Sequence, residues 1–487
     1  MKKRILAVVL FFAIVGFSLP VMALDVDFSG EFYVEGILNS AEGMLKSDKT
    51  SDYRQMRLRV KTDFMVTDKL SLTTRFDALE KVLSSNDSAF DSDSDGARFD
   101  EDVDDDNIDF DRAYISYISP IGLFQVGRMQ GVTWGTTFCD DETDTDRIKY
   151  VLPIPMGDGK LYIGAVAEKV TENDRGTEYS DLDNDKYYIG ATYKTANYST
   201  GLLTAFYNFK QFQDPGQSFA TDDFADAYGI LSAGGGLADL SSDQISAYMV
   251  YSERGLTTDA QVFLLAPYFK GVFGDWAFEA ELDYIFGNAS YDVSTAKDRD
   301  IQAFAYFAEA SYDYGPFTFQ GGFAHSKGDA DYTDGDIGSM GYVSPGIDWA
   351  KLFILNADDH GMNTTLGNGV GNHVGNGFAT ASTAMCDGYQ MLYAGADYAV
   401  TDALTLGIIG AISKADEVPD GAGYDDDQGM EVDVSLTWNI TDNLAYTAIG
   451  AYLDGGDYWS TRASGGVDDP SIDPDIYTLY HKLTLIF

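Results

Sequence analysis

The sequence predicts an all-β chain, a transmembrane antiparallel β-barrel of about 18 strands, with 16 as the alternative count. Three observations lead there. Apolar and polar residues alternate with a period of two, and the connections between such segments alternate short and long. An export leader precedes a chain that has no apolar stretch of the ~18–20 residues a membrane-crossing helix needs.

The leader comes first. Lys2, Lys3 and Arg4 form a positive start, residues 5–17 are apolar, and Val21 and Ala23 sit at −3 and −1 for cleavage after Ala23. Leu24 follows the cut with no Cys nearby, which argues against a lipid anchor. Residues 24–487 then read as a single barrel. No Pro/Ser-rich linker interrupts them, Pro is scarce at 11, and Gly (50), Tyr (32) and Phe (30) are abundant. A mean hydropathy of −0.17 fits a barrel, whose alternating faces average out.

Alternation begins at once. Val26, Phe28, Gly30, Phe32 and Val34 interleave with Asp27, Ser29, Glu31, Tyr33 and Glu35. Met56, Leu58 and Val60 interleave with Arg57, Arg59 and Lys61; Leu70, Leu72 and Phe76 do so with Ser71, Arg75 and Asp77. Such a strand shows one face to an apolar medium and one to water. Short connections fall at 66–69, 119–122, 156–159, 196–200, 271–275, 314–316, 401–403 and 441–443. Long ones fall at 39–51, 82–106, 130–145, 171–184, after 210, at 288–298, 328–385, 415–428 and 454–474. A soluble sandwich has no reason to sort its loops onto two rims, and a membrane barrel does. The turn Thr-Asp-x-Leu recurs at Thr67, Thr401 and Thr441. The strand-like run 244–251 is read as part of the long region after 210, because counting it would make the strand number odd.

Charge narrows the function. The formal net charge is −46, and −49 once the three basic residues of the leader are removed. That excludes nucleic acid as a partner, since phosphates need Lys and Arg. Acid runs such as 91–95 and 104–106 lie between strands and read as outer loops. Divalent cations bridging them to lipopolysaccharide would be one physical use, and plain solvation is the blander one. Asp91, Asp93, Asp95 and Asp102 match a calcium-loop spacing without the flanking helices, so Ca²⁺ is the one cofactor the sequence suggests. Cys139 and Cys386 are the only thiols; an exported pair suggests a disulfide, and two free thiols are the alternative. Catalysis finds little support. His325, His360, His373 and His481 are scattered, and no nucleophile elbow or haem-attachment motif is present. The Gly/Asn-rich run 367–377 reads as a loop tip.

Two segments carry a family resemblance. The final strand alternates Tyr477, Leu479, Leu483 and Leu485 with polar residues and ends in Phe487, which resembles the assembly signal of Gram-negative outer-membrane barrels. The run 122–132, with Gly122, Gly127, Arg128, Gly131 and Val132, resembles the porin segment GxxxxGRxxGV. The resemblance to trimeric general-diffusion porins implies outer-membrane residence, a homotrimer, and insertion by the barrel-assembly machinery. It also implies an infolded constriction loop at 130–145. There Asp140, Asp141 and Glu142 would face a basic wall of Arg57, Arg59, Arg75, Arg112 and Arg128. Arg128 shares parity with Phe124 and Val126, so it reaches the lumen only if Gly127 forms a bulge. The expected function is passive diffusion of small hydrophilic solutes or ions with weak cation preference. The alternatives are a substrate-specific channel, or a barrel sheathing a multihaem cytochrome, which would need a wide lumen.

Overall fold

The computed structural model describes residues 25–40, 50–83, 108–131, 133–139, 144–172, 183–213, 257–290, 298–330, 335–339, 350–356, 387–418, 423–463 and 466–487. The leader, the proposed calcium loop with Asp91, Asp93, Asp95 and Asp102, the acids Asp140, Asp141 and Glu142, Cys386 and the run 244–251 lie outside these residues.

Eighteen long strands close into one antiparallel barrel. They are β1 (Asp25–Asn39), β2 (Ser51–Thr67), β3 (Leu70–Val82), β4 (Ile108–Ser119), β5 (Gly122–Gln130), β6 (Asp144–Met156), β7 (Gly159–Thr171), β8 (Asn184–Lys194), β9 (Tyr198–Gln213), β10 (Thr257–Phe273), β11 (Trp276–Ser290), β12 (Arg299–Tyr314) and β13 (Phe317–Ser326). After a two-residue parallel bridge, β14 (Asp336–Ile337), come β15 (Tyr389–Thr401), β16 (Leu404–Lys414), β17 (Asp427–Thr441), β18 (Leu444–Asp454) and β19 (Ile476–Ile486). Each spanning strand pairs with its chain neighbour, and β1 pairs with β19. Closure leaves no ladder edge to be satisfied in lipid. It is completed at the last residue, where Gly30 and Phe487 exchange both backbone hydrogen bonds at 2.8 and 3.0 Å. A Cβ at Gly30 would lie 2.3 Å from the Arg59 carbonyl, so only glycine admits that approach.

The short turns follow from their hydroxyls. Thr67 Oγ1 accepts the Lys69 amide, Thr401 those of Ala403 and Leu404, and Thr441 those of Asn443 and Leu444. Ser119 and Thr195 do the same in two further turns. A side-chain oxygen two residues before the donor closes the turn without a long loop.

The outer face is apolar. Ile115, Ile148, Ile189, Leu392, Ile408, Ile412, Val434 and Leu479 are each more than half exposed, as only a lipid-facing residue can be without penalty. Two aromatic girdles bound this belt. One, beside the short turns, holds the contacting pairs Phe124–Tyr150, Trp276–Tyr312 and Phe317–Tyr398. The other holds Phe206, Phe263 and Phe286 with Tyr306 and Phe323. Phe263 and Phe273 stand ten residues apart on β10, about 25 Å vertically for a strand tilted ~40°. That matches the apolar thickness of a membrane barrel.

The inner face departs from simple alternation. On β1–β7 it is mostly polar and charged, with Tyr33 and Ile37 of β1 among the exceptions. On β10–β12 it is largely apolar, with Val262, Leu264, Ala266, Ile285, Ala303, Ala305 and Phe307 all buried, beside the buried acids Glu281 and Asp283. Those apolar residues form one core with Phe138 and with Phe353, Ile354 and Leu355, which come from loops folded into the barrel.

Candidate pore constriction

Among the described residues, two segments enter the lumen. The first leaves β5 after Gln130 and returns at Asp144. Its residues 133–139, ending in a single 3₁₀ turn (Thr137–Cys139), cross to the far wall. Trp134 donates its indole N–H to the Ala266 carbonyl at 2.8 Å and meets Tyr268 edge-on. The Thr136 amide and hydroxyl both donate to Glu281 Oε2, at 2.6 and 2.7 Å. Phe138, fully buried, stacks on Phe307 with ring centres 5.4 Å apart. The segment therefore runs from β5 to β10–β12, roughly a third of the way round the ring. Its base is also held: Arg112 donates to Gln130 at 3.1 Å and to Asp144 at 2.5 Å.

The second segment, residues 350–356, packs against β15, β17 and β19. Its amides donate to Glu431 and Asp433, Phe353 packs 5.0 Å from Tyr480, and Lys351 reaches Asp397 at 3.2 Å.

A basic wall runs along β2–β4. Arg59 makes a two-pronged bond to Asp77 at 2.7 and 2.6 Å. Arg75 bonds Asp111 at 2.6 Å and Asp144 at 2.7 Å, and Arg57 lies 3.6 Å from Glu31 and 5.0 Å over the Tyr33 ring. An irregularity between Arg75 and Asp77 in the β3–β4 register turns Asp111 and Arg112 inward together. Arg57, Arg59, Arg75 and Arg112 thus line the lumen, and each stands against a wall carboxylate, from among Glu31, Asp77, Asp111 and Asp144. Four cations stand against four anions, so the wall is a dipolar array with little net charge. The basic row continues on β6, where Arg147 is ion-paired to Glu168 and Lys149 has no hydrogen-bond or ion-pair partner among the described residues.

Arg128 is a correction. Gly127 adopts φ +130°, yet the registers of β4–β5 and β5–β6 run through it without a shift. Its conformation serves close strand approach instead: a Cβ there would lie 2.3 Å from the Ala113 carbonyl. With no bulge, Arg128 keeps the parity of Val126 and faces outward. It is half exposed and 3.6 Å from Asp146. It is no part of the constriction.

Sequence reasoning missed Glu281, Glu431, Asp433 and residues 350–356. The run Trp349, Ala350, Leu352, Phe353, Ile354 and Leu355, apolar within a polar loop, was the available signal. The wall carboxylates gave none, because inward-facing acids are expected on any water-lined strand.

At the outer rim, His325 Nε2 lies 2.7 Å from Asp416 Oδ1, which also accepts from Gln390, while the Gly328 amide donates to Oδ2. Burial pushes the Asp416 carboxyl up, but these hydrogen bonds outweigh it and hold the group below its usual range. Among the described residues, no group of three His, Cys, Asp or Glu is placed to hold a metal.

No protein-family profile matches the chain, and no curated protein sequence resembles it. Solved structures do. A variant of OccD1 (OprD) superposes with a TM-score of 0.50 at 10% identity, covering 95% of each chain. OccK8 (OprE) of Pseudomonas aeruginosa gives 0.49 at 10%, over 95% of this chain and 98% of that one. OccAB4 of Acinetobacter baumannii gives 0.48 at 10%, over 96% and 99%. At 10% identity the likeness to the OccD1 variant is one of fold, and it agrees with the strand count: this chain has the 18-stranded transmembrane β-barrel fold of outer-membrane channels.

Proposed function

We propose that the protein is an outer-membrane channel through which small hydrophilic solutes and ions pass down their gradients, with a preference for cations. One observation carries this reading. A closed barrel with a lipid-facing belt has its water-lined interior narrowed by residues 133–139, which run from β5 to β10–β12. A constriction built this way limits solute size without closing the pore. The cation preference rests on charge. The arginine wall is matched one for one by acids, so the large net negative charge of the chain is left to act on entering ions. Loop charges beyond ~8 Å are screened at physiological salt, which keeps the preference weak.

A sheath for a multihaem cytochrome is disfavoured, since two segments occupy the space such a partner would need. A substrate-selective pore is the second reading, supported by the apolar core of β10–β12 standing opposite the charged wall. Planar-bilayer recording decides. Stepwise ohmic conductance with a cation-directed reversal potential under a KCl gradient is expected. Absence of conductance from correctly folded protein would refute the proposal.

A further inference from the structure

Residues 350–356 dock through their backbone, and onto carboxylates. Phe353 N–H donates to Glu431 Oε1 at 2.9 Å and to Asp433 Oδ2 at 2.8 Å. Ile354 N–H donates to Glu431 Oε1 at 2.7 Å, and Leu355 N–H to Oε2 at 2.6 Å. Three consecutive amides thus converge on one buried carboxylate, the concave main-chain arrangement that binds anions elsewhere. Asn356 Oδ1 accepts the Ala350 amide at 2.7 Å and closes the segment on itself. Glu431 is wholly buried and Asp433 is 2% exposed. Ile354 and Leu355 fill the space beside them, at 1% and 0% exposure. One side chain escapes this burial. Lys351 is 67% exposed, 3.2 Å from Asp397, and within electrostatic range of Glu309.

We infer that residues 350–356 form a second, separately anchored constriction, in which Glu431 is the positioning residue and Lys351 the specificity-determining one. The inference rests on the channel reading and deepens it. Glu431 fixes the segment by accepting its amides, a role that needs an acceptor with two oxygens at that point on β17. The fixed segment then projects a cation beside Asp397 and within electrostatic range of Glu309, on a wall where Glu279 is already paired with Lys270. Lys351 therefore tempers the attraction of that wall for cations, while the bulk of the segment narrows the passage.

The test uses the full-length refolded protein. Glu431→Ala removes the acceptor. Conductance should rise on the order of twofold, and the reversal potential should move towards cations as Lys351 leaves Asp397. Glu431→Gln, which keeps one acceptor oxygen but sets an NH₂ against the amides, should fall between. Lys351→Gln should move the reversal potential towards cations with conductance unchanged, a split that a merely structural role would not produce. Hydrogen exchange at the amides of 353–355 tests the anchor without reference to transport. Slow exchange that becomes fast in Glu431→Ala is expected. Fast exchange in the unaltered protein overturns the anchor even if the channel conducts. Unchanged conductance and selectivity in both Glu431→Ala and Lys351→Gln, with heat-modifiable gel mobility intact, overturns the constriction.

Discussion

Cutting Glu281 back to Ala should loosen the first infolded segment without harming the barrel. Glu281 accepts two hydrogen bonds from Thr136, at 2.6 and 2.7 Å, in a buried setting. Hydrogen bonds to a charged acceptor contribute ~1.5–3 kcal/mol each, so the carboxylate holds the segment by roughly 3–6 kcal/mol. The other specific anchors are smaller. The neutral bond from Trp134 to Ala266 is worth ~0.5–1.5 kcal/mol, and the Phe138–Phe307 stack a similar amount beyond its burial. Burial of Phe138 adds about 1.5–3 kcal/mol and survives the substitution. Glu281 thus supplies the larger part of the polar anchoring. At 1.4 kcal/mol per factor of ten, its loss raises the undocked population on the order of 10²- to 10⁴-fold. Single-channel recording reads this as new flicker between the original conductance and a larger one. Glu281→Gln, retaining one acceptor oxygen, should flicker less. A Glu281→Ala protein that folds, runs heat-modifiably on gels, and gives a trace identical to the original would refute the assignment of Glu281 as the anchor.

Other consequences follow from the same geometry. Arg128→Ala should leave the reversal potential where it was, because that side chain faces outward; a shift of the size seen for a lumenal arginine would contradict its placement. Arg75→Gln should move selectivity towards cations by uncovering Asp111 and Asp144, with the effect shrinking at 1 M salt, where the Debye length is ~3 Å. Deleting Phe487 should lower the amount of assembled protein in the outer membrane while export continues, since its backbone completes the β1–β19 seam; equal assembly of the truncated chain would speak against it. The depressed Asp416 carboxyl contributes stability that is present above its unfolded pKa and lost as pH falls through its lower folded value. Asp416→Asn should therefore flatten the acid limb of rim exchange or unfolding, and an unaltered acid limb would show that the His325 and Gln390 contacts contribute nothing.

How much was legible in the sequence depended on what lay on each side of a strand. β2 reads cleanly: Met56, Leu58 and Val60 meet lipid while Arg57, Arg59 and Lys61 meet water. β10 does not, since Val262 and Leu264 face inward and Phe263 and Leu265 outward. Its inner neighbour is the infolded core instead of water, and no local pattern announces that. Arg128 shows the opposite failure. Its parity with Val126 already pointed to lipid, and only the motif resemblance argued for the lumen. The strand register overrules the motif, because Ala113, Arg128 and Asp146 are cross-strand neighbours in an unbroken ladder. Partner identity was the least legible feature of the wall. Arg75 finds Asp111 and Asp144, which are 36 and 69 positions away in the chain. Only the register and the β3–β4 irregularity bring them together, so the porin resemblance, which set the arginines against the loop acids 140–142, named none of these wall partners.

Wall carboxylates do two kinds of work in this barrel, and the division explains why its interior can vary without its fold. Asp77, Asp111 and Asp144 accept from arginine side chains and set the field along β2–β4. Glu281, Glu431 and Asp433 accept from backbone amides and set the shape of the opening. Neither group takes part in the strand ladder, which is closed by main-chain bonds from β1 to β19 and shielded by the lipid belt. A soluble β-sandwich would lose its core if such inner residues changed. Here the barrel wall persists because its cohesion is main-chain bonding and lipid contact, while the inner layer adds little to closure. Asp144 alone joins both tasks, since it neutralises Arg75 and Arg112 while fixing the point where the first segment rejoins the wall. Field and aperture are therefore coupled at the root of that segment and independent at its far end. A change at Asp144 must alter selectivity and conductance together, whereas changes at Glu281 or Arg59 should separate them.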